Sequence, residues 1–146
     1  MIAILTADII NSRKLSSKIW MTNLKAFLNT FGPSPNDWEI YRGDEFQLEV
    51  KNPEDALIVA FQLKAFFKSR KLDVRISIGF GEKTYKSRKI TESNGSAFIR
   101  SGETFETLKK QKLNLAIRSA DTIFDEELNL MLKLSLSFMD NWLQQS

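Results

Sequence analysis

The sequence contains neither histidine nor cysteine. The commonest general base, the commonest transition-metal ligand and all thiolate chemistry are therefore outside its means. Ligand capture or catalysis must rest on carboxylates, Lys, Arg, Tyr, hydroxyls or a metal held by oxygen. Two carboxylates stand out by position. Asp8 closes an apolar, partly β-branched run at residues 2–8, and Asp44 follows Gly43 at a tight turn between two strand-like segments. If that run and the hairpin lie side by side, the two carboxylates meet at one edge of a sheet. Without a cation they would repel, and one pKa would rise. A divalent ion relieves this, and Mg²⁺ takes one or two carboxylates together with phosphate oxygens and water. The expected cofactor is Mg²⁺ or Mn²⁺ at Asp8 and Asp44. The Ile9 carbonyl and Glu45 are further candidate ligands, although strand alternation can turn Glu45 away. Directly after this strand come Asn11, Ser12, Arg13 and Lys14. Backbone N–H groups at a helix start attract phosphate, and the two basic side chains add charge. Asn11 or Ser12 serves equally well as a simple helix cap.

The elements that must position these groups follow from the pattern of apolar residues. Residues 2–8 read as a central strand buried on both faces. Trp20, Leu24, Phe27, Leu28 and Phe31 mark one face of a helix over 14–31. Residues 32–37, rich in Gly and Pro, break it. Strands follow at 38–42 and 45–50, the second alternating cleanly with Phe46, Leu48 and Val50 on one face. Gly43 supplies the positive φ of the hairpin. Asn52 and Pro53 open a helix expected to reach about Lys71. Val74, Ile76, Ile78 and Phe80 alternate with polar or small residues as a half-buried strand. Residues 81–94 form a basic loop in which Lys83, Lys86, Arg88 and Lys89 make either a lid over a polyphosphate or a solvated segment. A helix at 96–110, a short strand at 113–118 and a last helix at 120–146 complete the chain. The order β-α-β-β-α-β predicts an α+β fold of the ferredoxin-like palm type with an extra C-terminal helix. The expected division is a palm domain at 1–118 and a terminal helix at 119–146.

With 146 residues, 42% of them apolar and eleven of them Phe, the chain suits one packed domain. A net charge of +3 does not by itself announce a nucleic-acid partner. No run approaches the roughly 20 apolar residues of a membrane span, and no basic leader precedes the first strand. The expectation is a cytoplasmic protein with no membrane partner.

The local sequences bring a resemblance. Thr6-Ala7-Asp8-Ile9-Ile10 resembles the strand that carries the first metal Asp of class III nucleotidyl cyclases. Tyr41-Arg42-Gly43-Asp44-Glu45-Phe46 resembles their hairpin and the GGDEF motif of diguanylate cyclases. Residues 74–82 are similar to the strand that follows in both groups. The whole pattern is most similar to the SatD-like family. It is carried by Asp8-Ile9-Ile10-Asn11-Ser12-Arg13, Gly43-Asp44-Glu45-Phe46-Gln47 and the segment from Gly95 to Gly102. The resemblance spans about residues 1–118 and implies a metal-dependent nucleotide or phosphate site. It departs where class III enzymes read and turn over substrate. Ile40 stands in place of the base-selecting Lys, Ile99 in place of an Asn and Glu103 in place of the transition-state Arg. Arg42 replaces the first Gly of GGDEF. Donors aimed at developing negative charge are what such a site needs. The implied function is therefore a regulatory sensor domain that binds a nucleotide or other phosphate ligand and lacks ordinary cyclase activity. The alternatives are a two-metal nucleotidyl or phosphoryl transferase and a dimerisation scaffold without ligand. In the last helix Leu128, Met131, Leu132, Leu134, Leu136, Phe138, Met139, Trp142 and Leu143 cover more than one face, which implies a homodimer or a downstream module. SatD-like proteins commonly continue into a helix-turn-helix module. The sequence thus reads as a shortened form, with DNA a partner only through that module.

Overall fold

The computed structural model describes residues 1–10 and 17–145. Five strands form a mixed sheet in the order β2-β3-β1-β4-β5. They are β1 (Ile2–Ile10), β2 (Trp38–Tyr41), β3 (Glu45–Val50), β4 (Asp73–Gly81) and β5 (Leu115–Arg118). Four helices accompany them among the described residues: α1 (Ser17–Asn29), α2 (Ala56–Lys68), α3 (Ser96–Gln111) and α4 (Thr122–Gln145). β1 is antiparallel to both its neighbours, β3 and β4, whereas β5 joins β4 in parallel. The fold is α+β.

Alternation divides the sheet into two unlike faces. On one face Ala3, Leu5, Ala7 and Ile9 meet Phe46, Leu48, Val74, Ile76 and Ile78 in a single core. α1 supplies Trp20, Leu24 and Leu28 to it, and α2 supplies Val59, Leu63 and Phe67. On the other face lie Thr6, Asp8, Glu45, Gln47, Arg75 and Ser77, register partners across β3, β1 and β4. α3 covers part of this second face. Buried Ile4, Ala97 and Phe98 form its small apolar cluster with Ile90. Beside it, Thr6, Ser77 and Ser101 exchange hydroxyl hydrogen bonds, Thr6 to Ser101 at 2.8 Å. The close seat of α3 depends on Gly79. A Cβ there would come within 2.2 Å of the Ala97 carbonyl oxygen and 2.4 Å of the Ser101 nitrogen.

Several boundaries differ from the sequence expectation. β1 continues two residues past Asp8, because pairing with Val74 and Asp73 on β4 carries it to Ile10. A 3₁₀ turn at Pro53–Asp55, capped by the Asn52 side chain, precedes α2, which ends at Lys68 rather than near Lys71. β5 starts at Leu115 and not at residue 113, because Leu113 closes the left-handed end of α3 after Lys112. The terminal helix begins only at Thr122. The Asp121 carboxylate accepts from the Phe124 N–H, and Asp125 holds Ser119 through both backbone and hydroxyl. No helix among the described residues is long and apolar enough to cross a membrane.

Candidate functional site

The antiparallel register sets a row of polar side chains across one end of the sheet. Arg75 on β4 stands opposite Asp8 on β1, Asp8 opposite Glu45 on β3, and Glu45 opposite Tyr41 on β2. The chain turns back over Arg42, Gly43 and Asp44, where Arg42 and Gly43 both hold positive φ, 50° and 80°. Glycine adopts that region freely, and a side chain such as that of Arg42 rarely does. The Ile9 N–H donates to the Asp44 carbonyl at 3.0 Å. That bond makes Asp8 and Glu45 a non-hydrogen-bonded pair, the kind in which facing residues and their side chains stand closest. Strand alternation does not turn Glu45 away from Asp8: the two share a face.

Two carboxylates set opposite each other are unfavourable unless cations join them. Three do. Arg75 Nη1 lies 3.1 Å from Asp8 Oδ2 and 3.4 Å from Oδ1. Lys109, reaching from α3, is 3.5 Å from Glu45 Oε1, and Arg42 is 3.9 Å from Oε2. Lys109 also stands 4.7 Å over the Phe105 ring. Burial pushes the Asp8 carboxyl above its ordinary range; Arg75 and Lys109 pull it down, and Glu45 and Asp44 push it further up. Burial, with Glu45 next, raises the Tyr41 phenol to about 12.

The arrangement thus brings Asp8 and Glu45 face to face, with the backbones of Ile9 and Asp44 beside them. Asn11, Ser12, Arg13 and Lys14 lie outside the described residues. Among the described residues no group of three or more acidic side chains stands ready-made to hold a metal ion. Two carboxylates with only oxygen to offer are nevertheless the donor chemistry that Mg²⁺ and Mn²⁺ accept. Arg75 and Lys109 were not among the candidates read from sequence. Alternation in residues 74–80 already put Arg75 on the polar side of its strand, but only the β1–β4 register brings it to Asp8. For the basic loop the structure favours the solvated alternative over the lid. The loop leaves β4 at the Gly81 end, which pairs with Ile2, and so lies at the opposite end of the sheet from Asp8. Six residues of strand, roughly 20 Å, separate Gly81 from Arg75. Lys83 there pairs with buried Glu49, and Thr91 bonds Glu39, so a lid over Asp8 is excluded for these residues. A separate cavity of about 720 Å³ opens between α3, β5 and α4, lined by Thr104, Gln111, Asn114, Asn129 and Lys133 among others. Its lining includes none of the carboxylates of the row.

No model of a known protein family matches this chain, and no curated protein matches it.

Proposed function

We propose that this chain is a cyclase-like regulatory domain of the SatD-like kind that binds a nucleotide or other phosphate ligand through Mg²⁺ or Mn²⁺. The observation that carries the reading is the opposition of Asp8 and Glu45 on adjacent strands, with the Asp44 carbonyl tied to the Ile9 N–H beside them. The strand order β2-β3-β1-β4, with β1 antiparallel to both neighbours, supports the ferredoxin-like palm assignment. In this reading Asp8, Asp44 and Glu45 hold the ion, and the Ile9 carbonyl adds an oxygen. Bound there, the ion neutralises the carboxylates and offers positive charge to phosphate. The residues that would read and turn over substrate in an active cyclase are unsuited to it. Ile40 packs against the core on the other face of the sheet. Ile99 is exposed on α3, and Glu103 is paired with Arg118 at 2.8 Å. A homodimer formed through α4 belongs to the same proposal.

The test is thermal unfolding with millimolar Mg²⁺ or Mn²⁺, with and without a nucleoside triphosphate. A ligand at about 100 times its Kd adds about 2.7 kcal/mol, which for a chain of this size is roughly 5–10 °C. Asp8→Asn and Asp44→Asn are each expected to abolish that gain. An equal gain in the double variant sinks the proposal. Incubation with ATP is expected to give no cyclic AMP; Mn²⁺-dependent product that requires Asp44 would favour the two-metal transferase instead.

A further inference from the structure

We propose that Arg75 is a built-in competitor for the cation at Asp8, so that the site holds a divalent ion firmly only when a phosphate anion takes the guanidinium in exchange. The inference rests on the metal reading above and deepens it. Arg75 and Asp8 are direct register partners, and each side chain is only 18% exposed. Both short contacts come from one nitrogen, Nη1, rather than from two nitrogens in parallel. Arg75 Nε is buried with no hydrogen-bond partner. The pair is therefore a partial version of what arginine does best. Its planar fork favours two parallel bonds to one carboxylate or phosphate.

Three charges occupy the row, Arg75, Asp8 and Glu45, and α3 closes over it through Lys109. A divalent ion on Asp8 sits where the guanidinium now draws the same oxygens, so cation and arginine exclude each other. The displaced guanidinium, already part-buried, needs a new acceptor. A phosphate on the ion supplies two oxygens at matching spacing. Cation and anion then assist one another, and the assistance is reciprocal, because it is a coupling free energy between two ligands. No titration is needed for this exchange; it follows from the register and from the incomplete pairing of the guanidinium.

The experiment is a titration of the whole chain with Mn²⁺, read by the paramagnetic resonance of the free ion, with and without inorganic phosphate. Arg75→Met is expected to bind Mn²⁺ alone at least tenfold more tightly than the unaltered chain. Phosphate is expected to tighten Mn²⁺ binding severalfold in the unaltered chain and to leave Arg75→Met unchanged. Asp8→Asn added to Arg75→Met is expected to remove the binding. Equal or weaker binding by Arg75→Met, with the unaltered chain binding Mn²⁺, overturns the competition and leaves the metal reading standing. Absence of binding in both, with both folded by circular dichroism, overturns both. Retained binding after Asp8→Asn does the same, since the ion then sits elsewhere. If Arg75→Met does not fold, Arg75→Lys keeps the charge and loses the fork. Its phosphate response is expected to fall by at least half, and an undiminished response overturns the proposal.

Discussion

Tyr41 stands at the end of the polar row, across β2 and β3 from Glu45, and its phenol is held protonated to about 12. Burial is the main cause, with the Glu45 carboxylate adding to it. An unfolded chain releases this proton near the ordinary value of 10.0, whereas the folded chain keeps it. The sign follows: stability from the neutral phenol is complete below pH 10 and is lost as pH rises from 10 towards 12. Alkaline unfolding of the unaltered chain is thus expected to steepen in that window, and Tyr41→Phe is expected to flatten it. Melting temperatures from pH 9 to 11.5 check this; an identical decline in both proteins would refute the assignment. At this scale the sequence was informative about kinds and poor about partners. The places of Asp8 near a strand end and of Asp44 in a turn were legible because an acid at the end of an apolar strand and a Gly-Asp turn are local signals. Arg75 and Lys109 were not, since their importance comes from registers that join residues far apart in the chain. The choice between a lid and a solvated segment at Lys83 was hidden for the same reason: the direction of β4 decides which end of the sheet its following loop reaches.

Among the elements, α3 and β5 show how close packing substitutes for a larger core. The second face of the sheet has few apolar side chains, so α3 is held by proximity and by hydroxyls. Gly79 lets its backbone approach, and Ser101 bonds both Thr6 and Ser77. Gly79→Ala would force a methyl group into the Ala97 carbonyl, with no flexible side chain to yield. An overpacking cost of about 1–3 kcal/mol is expected. On the far side, β5 would present a bare edge, a liability for self-pairing. The Asn129 amide on α4 closes it, accepting from the Ile117 N–H at 2.7 Å and donating to the Ile117 carbonyl at 3.0 Å. Asn129→Ala leaves both backbone groups without that partner and is expected to cost about 1–3 kcal/mol. Urea midpoints of the two variants measure both effects; a change under about 0.5 kcal/mol in either would contradict the packing described. The helices and strands themselves were legible, because their apolar periodicities are strong. What periodicity could not show was that α3 lies opposite α1 and α2, or that a single amide joins α4 to the edge strand. Both depend on spatial order rather than on pattern.

For the whole molecule, the question is what α4 does with its second apolar side. Leu132 is buried against the core, with Leu128 and Leu136 half-buried beside it. Ile123, Leu130, Met131, Leu134 and Phe138 are exposed. Residues 123, 130, 134 and 138 recur at intervals of seven, four and four, one stripe on a helix. That stripe is wider and more apolar than a solvated helix face requires. The second copy of the chain proposed above as its occupant is supported by charge. Glu126 and Lys133 are seven residues apart on the same flank of the stripe. In an antiparallel two-fold pairing like flanks meet, so such a dimer would set each Glu126 against Lys133 of the partner subunit, and the pair would occur twice. A two-fold contact of this kind closes on itself. Sedimentation across concentration is therefore expected to show a dimer in the micromolar range. Leu134→Glu, at the middle of the stripe and away from the core, is expected to give a folded monomer. Glu126→Lys is expected to weaken the dimer at least severalfold, and Lys133→Glu added to it to restore much of the loss, more so at low salt. A monomer at every concentration, unchanged by Leu134→Glu, would remove the second copy as the occupant. A dimer indifferent to Leu134→Glu would move the interface away from α4.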